Sequence, residues 1–300
     1  MRRWLDRAMP AAVAVADEPT LWLPGALAWL VTVGWIPLVA AIWRPSVSGL
    51  TYFGSGFFSS GAWPWNALAI GAAAVAIVAL AFALAAMAES VLIGVLDGHR
   101  PTVSDGAGLL GIAIVVAAPS VMLLLAAATA AVVIAPAEFN SPAGAEAPLW
   151  RILLRVLPLL VAAGLAAVAG AALHAAAARH RIGAGGTIVD ALGGGARRLR
   201  RAGWVSLVQA VAVTVARVLS LAFAVLLLAV LWAPIGERLA RGGLDAATAL
   251  LLVGFVAVWL CLVLGGGAVQ AWSSATWSRI LDQRSTAPRL AAPTEARTRT

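Results

Sequence analysis

The residue of this 300-residue chain most open to chemistry is Arg217. It stands within a residue or so of the middle of a long apolar run, 204–232. An arginine at mid-bilayer costs about 2.5–3.5 kcal/mol on insertion scales, so something in the fold must compensate it. Helical geometry of about 100° per residue puts Ser206, Gln209, Thr214 and Ser220 within roughly 80° of Arg217 on one face. Such a polar stripe fits a site for an anionic substrate or lipid headgroup, or the counter-charge of a proton path. It equally fits a structural arginine bonded to backbone carbonyls or to an acid on a neighbouring helix.

Three further polar residues, Glu89, His174 and Gln270, each follow a long apolar run by a similar interval. Counting from Trp65 places Glu89 near the inner interface, roughly 12 Å or more from the depth of Arg217 at about 1.5 Å per residue, so a direct ion pair is not expected. His174 and Gln270 share the depth of Glu89 and are expected to form a polar ring with it. Glu89 and His174 would be the acid and base of an intramembrane enzyme if they came within hydrogen-bond reach. The bland alternative is a carboxylate snorkelling to water and a hydrogen-bonded core histidine. With no second well-placed ligand beside His174, no metal site is expected, and no residues are assigned to catalysis or to a cofactor. The chain has no Walker glycine loop, His-Glu-x-x-His, Gly-x-Ser-x-Gly or cysteine cluster.

The elements that position these residues follow from composition. Hydrophobic residues make up 62% and charged residues 11%, far from the roughly 25% charge of soluble chains, so the expected solvent is a bilayer. Six segments reach the length of about 20 apolar residues that a spanning helix needs: 21–43, 66–93, 107–135, 153–178, 204–232 and 246–272. The fold class is therefore an all-α polytopic membrane bundle of six transmembrane helices. Residues 1–19 read as a retained cytoplasmic leader, 20–280 as the transmembrane domain and 281–300 as a disordered cytoplasmic tail.

Every basic side chain is arginine, and the abundance of alanine points to a GC-rich bacterial genome. Arginines concentrate in the leader, the 94–106 and 179–203 loops and the tail, which the positive-inside rule places in the cytoplasm together with both termini. The net charge of +8 thus signals topology and contact with anionic lipid headgroups, not nucleic acid. Trp22, Trp43, Trp65, Trp150, Trp204, Trp232 and Trp272 fall near span ends, as interfacial indoles do. The aromatic, glycine-rich loop 44–64 is expected on the outer leaflet or between helices. Residues 187–203 suggest an amphipathic helix on the inner leaflet, weakened by Gly193, Gly194 and Gly195. Cys261 lies alone in an apolar run and is expected to be a buried, inert thiol.

Glycine and proline mark where helices bend or touch. Gly265, Gly266 and Gly267 are expected to kink the last span, to seat a close helix contact or to provide a gating hinge. Pro119 and Pro158 should bend the third and fourth spans, and Ala163, Gly164, Ala166, Ala167 and Gly170 form a surface for tight packing.

An internal repeat is also visible. Gly98, Thr102 and Asp105 recur as Gly183, Thr187 and Asp190, and Thr-x-x-Asp is a helix-capping signature. Thr20 holds the equivalent place before the first span, and Glu89, His174 and Gln270 match on the returning helices. Three tandem hairpins are the implied architecture.

The stretch from Gly183 to Asp190, followed by Ala191-Leu192 and an arginine-rich run into a long apolar helix, resembles the membrane domain attached to some bacterial glycerophosphodiester phosphodiesterases. It is similar also to related uncharacterised six-helix bacterial membrane families. The resemblance covers about 80 residues and implies a membrane domain only; the chain has no room for the hydrolase, so neither its activity nor a catalytic residue comes with it. The leading expectation is a non-enzymatic bacterial inner-membrane protein that assists transport or acts as a scaffold. The alternatives are an intramembrane lipid-modifying enzyme, or a subunit docked to another membrane protein.

Overall fold

The computed structural model describes residues 2–43, 61–62, 65–139, 146–242 and 245–281; most of the 44–64 loop and the tail after Leu281 lie outside these residues. All regular elements within them are helical. Helix α1, Arg2–Asp17, leads through a 3-10 turn at Pro19–Leu21 into α2, Trp22–Trp29, and a π turn at Leu30–Gly34 joins it to α3, Ile36–Ile42. The remaining helices are α4, Trp65–Asp97; α5, Val103–Phe139; α6, Glu146–Ala184; α7, Ile188–Ala202; α8, Trp204–Ala240; and α9, Ala246–Leu281. Five of them, α4, α5, α6, α8 and α9, are long and apolar enough to cross a bilayer. The pair Pro19–Gly34 and Ile36–Ile42, bent by 43°, makes a sixth if it counts as one span.

The bend has a local cause. A π turn carries one extra residue, which breaks the regular ladder, and Pro37 near the start of α3 withholds an amide. The Trp259 indole donates to the freed Gly34 carbonyl at 3.1 Å. As a result α2 packs on α9 and α4, whereas α3 leaves α4 and packs on α8. All described residues from Leu68 to Leu80 on α4 are exposed. Three equivalent tandem hairpins are therefore not what the chain forms: α5 pairs with α6 and α8 with α9, but the first pair is splayed.

Both capping boxes form. Thr102 accepts from the Asp105 amide at 3.2 Å and its own amide donates to Asp105 at 2.9 Å; Thr187 and Asp190 do the same at 3.2 and 3.0 Å. They start unlike helices, however. Thr102 opens the span α5, whereas Thr187 opens the short α7, which stops at Gly203 (φ 57°) before α8 begins. Thr20 lies inside the 3-10 turn and caps no helix.

Three elements go beyond or against their sequence-based expectation. The leader forms an amphipathic helix, residues 2–17, docked on the bundle and burying Ala8, Ala11 and Val15. Four side-chain bonds fix it: Trp4 Nε1 donates to Gln209 Oε1 (2.7 Å), Arg7 to the Ile280 carbonyl (3.3 Å), Trp22 to the Val15 carbonyl (2.8 Å) and Trp272 to the Ala8 carbonyl (3.2 Å). In α7 the glycines are the packing face: Gly194 and Gly195 are buried against α6, and a Cβ on Gly195 would stand 2.7 Å from the Ala177 amide nitrogen. Cys261 is exposed on the outside of α9, which is lipid-facing for a spanning helix.

The second glycine triplet seats a close contact and not a break. Helix α9 runs continuously past it, and a Cβ on Gly267 would lie 2.5 Å from the Trp22 carbonyl of α2. Pro119 and Pro158 likewise lie inside continuous helices. Of the small residues on α6, Ala163 accepts from Ser120 at 2.9 Å through its carbonyl and Gly170 rests on the Val116 carbonyl, while Gly164 faces open space.

Candidate functional site

Five helices each contribute one stripe, spaced i, i+3, i+4 and i+7, to a common interior. The stripes are Phe82, Ala85, Ala86 and Glu89 on α4; Ala113, Val116, Ala117 and Ser120 on α5; Ala167, Gly170, Ala171 and His174 on α6; Ala210, Val213, Thr214 and Arg217 on α8; and Gln270, Ser273, Ser274 and Trp277 on α9. Trp29, Thr32 and Val33 enter from α2 and the π turn. Because most of these side chains are small, the helices enclose a cavity of about 550 Å³, within the range of ligand pockets. Its walls are mostly apolar, and its ionisable groups come from α4, α6 and α8.

Glu89 and His174 meet there. His174 Nε2 donates to Glu89 Oε2 at 2.9 Å, since an ionised carboxylate only accepts. Buried Ala86 on α4 and fully buried Ala178 on α6 share one hydrophobic cluster beside the pair. The second ring nitrogen, His174 Nδ1, is buried and has no hydrogen-bond partner among the described residues.

Gln270 does not complete a ring with them. Its Oε1 accepts instead from Arg217 Nη2 at 2.5 Å. A guanidinium carries five N–H donors, and this is the only hydrogen bond of the Arg217 side chain among the described residues. Among the described residues no carboxylate pairs with it either. Arg217 is half-buried, on the cavity wall.

The polar stripe around Arg217 divides by role. Thr214 lines the cavity and bonds back to the Ala210 carbonyl at 2.8 Å. Ser206 bonds the Gly203 carbonyl at 2.7 Å at the α7–α8 corner, and the fully buried Gln209 serves α1 through Trp4. Ser220 is half-buried and does not line the cavity.

A second arginine, absent from the sequence-based candidates, forms the cavity floor. Arg179 is only 4% exposed. It donates from Nε to Ser278 Oγ (3.0 Å), from Nη1 to the Ala175 carbonyl (2.8 Å), and from Nη2 to both the carbonyl (2.6 Å) and the Oγ (2.8 Å) of Ser274. The signal was on α9: after a long apolar run, Ser273, Ser274 and Ser278 sit together between Trp272 and Ile280 and need a polar partner. A third cluster stands at the far end of α5 and α6, where buried Glu138 pairs with Arg151 at 3.0 Å and Arg155 at 2.6 Å. Among the described residues, no group of three or more histidine, cysteine or acidic residues could hold a metal ion.

Two arginines against one carboxylate leave a net positive charge in the cavity when His174 is neutral. With most of its donors free and a low-dielectric wall around it, Arg217 is equipped to receive an anion. No protein-family model, curated protein or solved structure matches this chain.

Proposed function

We propose that the chain is a non-enzymatic, six-span protein of a bacterial inner membrane that binds an anion inside the bilayer and assists its transport. The observation that carries this reading is Arg217, which faces an apolar cavity with one side-chain hydrogen bond to Gln270. A guanidinium is retained at that depth, against a cost of about 2.5–3.5 kcal/mol, where it has a charge to meet. Counting the bent α2–α3 pair as one span puts both termini on one side, where the positive-inside rule assigns the cytoplasm. The same end presents Arg197, Arg198, Arg200 and Arg201 of α7 to anionic headgroups. The resemblance to a phosphodiesterase-associated membrane domain agrees with this role and brings no hydrolase with it.

One observation favours the second reading, an intramembrane lipid-modifying enzyme: Glu89 and His174 stand within hydrogen-bond reach, as an acid–base pair must. Against it, the other nitrogen of His174 is closed off, so a ligand in the cavity has no proton-accepting ring atom to use.

Native mass spectrometry of the protein extracted from its own membrane separates these readings. Wild type is expected to retain an anionic adduct that Arg217→Leu loses while keeping its helical circular dichroism. Identical adducts in the two proteins would remove the proposal, and a chemically altered adduct that depends on His174 would favour the enzyme.

A further inference from the structure

We infer that the anion reaches Arg217 from the hydrocarbon phase, as the headgroup of an amphiphile whose acyl chain stays in the membrane. The inference rests on the anion-binding reading above and adds the route and the ligand class.

The floor is filled. Arg179 is tied to Ser274 and Ser278, and Trp277, Ile280 and Leu281 of α9 are buried, so among the described residues the α1 and α7 end of the cavity is packed with side chains. The side is open. Phe82 and Val121 line the cavity and are 42% and 48% exposed, so neither is covered by a neighbouring helix. Their heights agree: Phe82 lies 15 residues before Asp97 at the end of α4, and Val121 lies 18 residues after Val103 at the start of α5. These intervals are about 22 and 27 Å from the same end at 1.5 Å per residue. Above this level α4 is splayed, with all described residues from Leu68 to Leu80 exposed. An opening at that depth faces lipid tails, not water.

The lining matches such a ligand. Alanine, valine and phenylalanine side chains accept an acyl chain, and the free donors of Arg217 accept the oxygens of a phosphate or carboxylate. Either oxyanion also exists in water without a tail, so the test must separate the two sources.

The thermal midpoint of the detergent-purified full chain is measured against dioleoylphosphatidic acid, dioleoylphosphatidylcholine and glycerol 3-phosphate, for wild type, Arg217→Gln, Arg217→Lys and Val121→Trp. Phosphatidic acid is expected to stabilise wild type saturably and phosphatidylcholine to do so less. Arg217→Gln should weaken the response about tenfold or more, with Arg217→Lys in between. Val121→Trp changes an exposed residue at the mouth, so it should fold and bind the lipid more weakly. If glycerol 3-phosphate stabilises as well as the lipid, and Val121→Trp changes neither response, the ligand arrives from water; the lateral route falls and the anion site stands. If the phosphatidic acid response survives Arg217→Gln, the lipid is bound elsewhere and both fall. Both fall as well if no anionic probe stabilises wild type.

Discussion

The floor and the wall of the cavity each hold an arginine, and the two are bonded in opposite ways. Arg179 makes four hydrogen bonds, three of them to α9, and is almost completely buried. Arg217 makes one and faces the cavity. The same side chain at a neighbouring depth thus serves as a rivet in one place and as an open receptor in the other. What separates them is the supply of acceptors. Helix α9 offers Ser274 and Ser278 beside Arg179, while around Arg217 it offers only Gln270.

The contrast is broken most directly at the floor. Arg179→Leu leaves buried acceptors without a donor and should cost about 3–5 kcal/mol, read as a large fall in unfolding midpoint in detergent. A variant as stable as wild type would show that Arg179 rivets nothing. Next in size is Trp4→Phe, which removes the bond to fully buried Gln209 and should cost about 1 kcal/mol, with faster amide exchange confined to α1. Uniform exchange across the bundle would mean that α1 is not held locally. At the wall, Arg217→Leu should change stability by no more than about 1 kcal/mol, because the lost bond is offset by relief of a buried charge, while the response to anionic lipid disappears. A collapse as deep as that of Arg179→Leu would erase the distinction.

The smallest effect is one of pH. The Asp190 carboxyl is held below its ordinary value of 3.8, chiefly by its hydrogen bonds to Thr187. A lowered folded-state value means that the contribution is intact above the ordinary value and lost as pH falls through the lowered one. Acidification below 3.8 should therefore loosen residues 188–202 in amide exchange and leave α9 protected. Loosening of α7 already at neutral pH would point to another cause.

Much of the fold was legible because apolar length is a strong signal. The expected segments 66–93, 107–135, 153–178, 204–232 and 246–272 all lie within long helices. The helices run further because a helix does not stop where lipid does: α6 has 39 residues, about 58 Å at 1.5 Å per residue, against a hydrocarbon core of about 30 Å. Glu138 was missed for the same reason, since it lies past the apolar run but still on α5. Depth was legible only in part: Glu89 and His174, assigned one level, do meet, but Gln270 of that level bonds to Arg217, which counting about 1.5 Å per residue had set at a different depth. Pairing was not, because it depends on which way each helix is turned and on how neighbours cross. Glu89 with His174, and Gln270 with Arg217, had to be seen in three dimensions. Arg179 escaped because the α6 apolar run ends just before it, which made it look like a loop residue. The first glycine triplet was read as a weakness and the second as a kink, a hinge or a close contact; in each helix one glycine, Gly195 and Gly267, lies against a neighbouring backbone.

The availability of the Arg217 guanidinium can be measured by arginine-selective nitrogen-15 NMR in detergent, with Arg179→Lys and Arg217→Lys used to assign the two signals. Arg179 should show slowly exchanging side-chain protons with or without ligand. Arg217 should exchange fast alone, then slow and shift when an anionic amphiphile is added. An Arg217 signal as protected as that of Arg179 before any addition, and unmoved afterwards, would contradict the assignment of Arg217 as the open receptor.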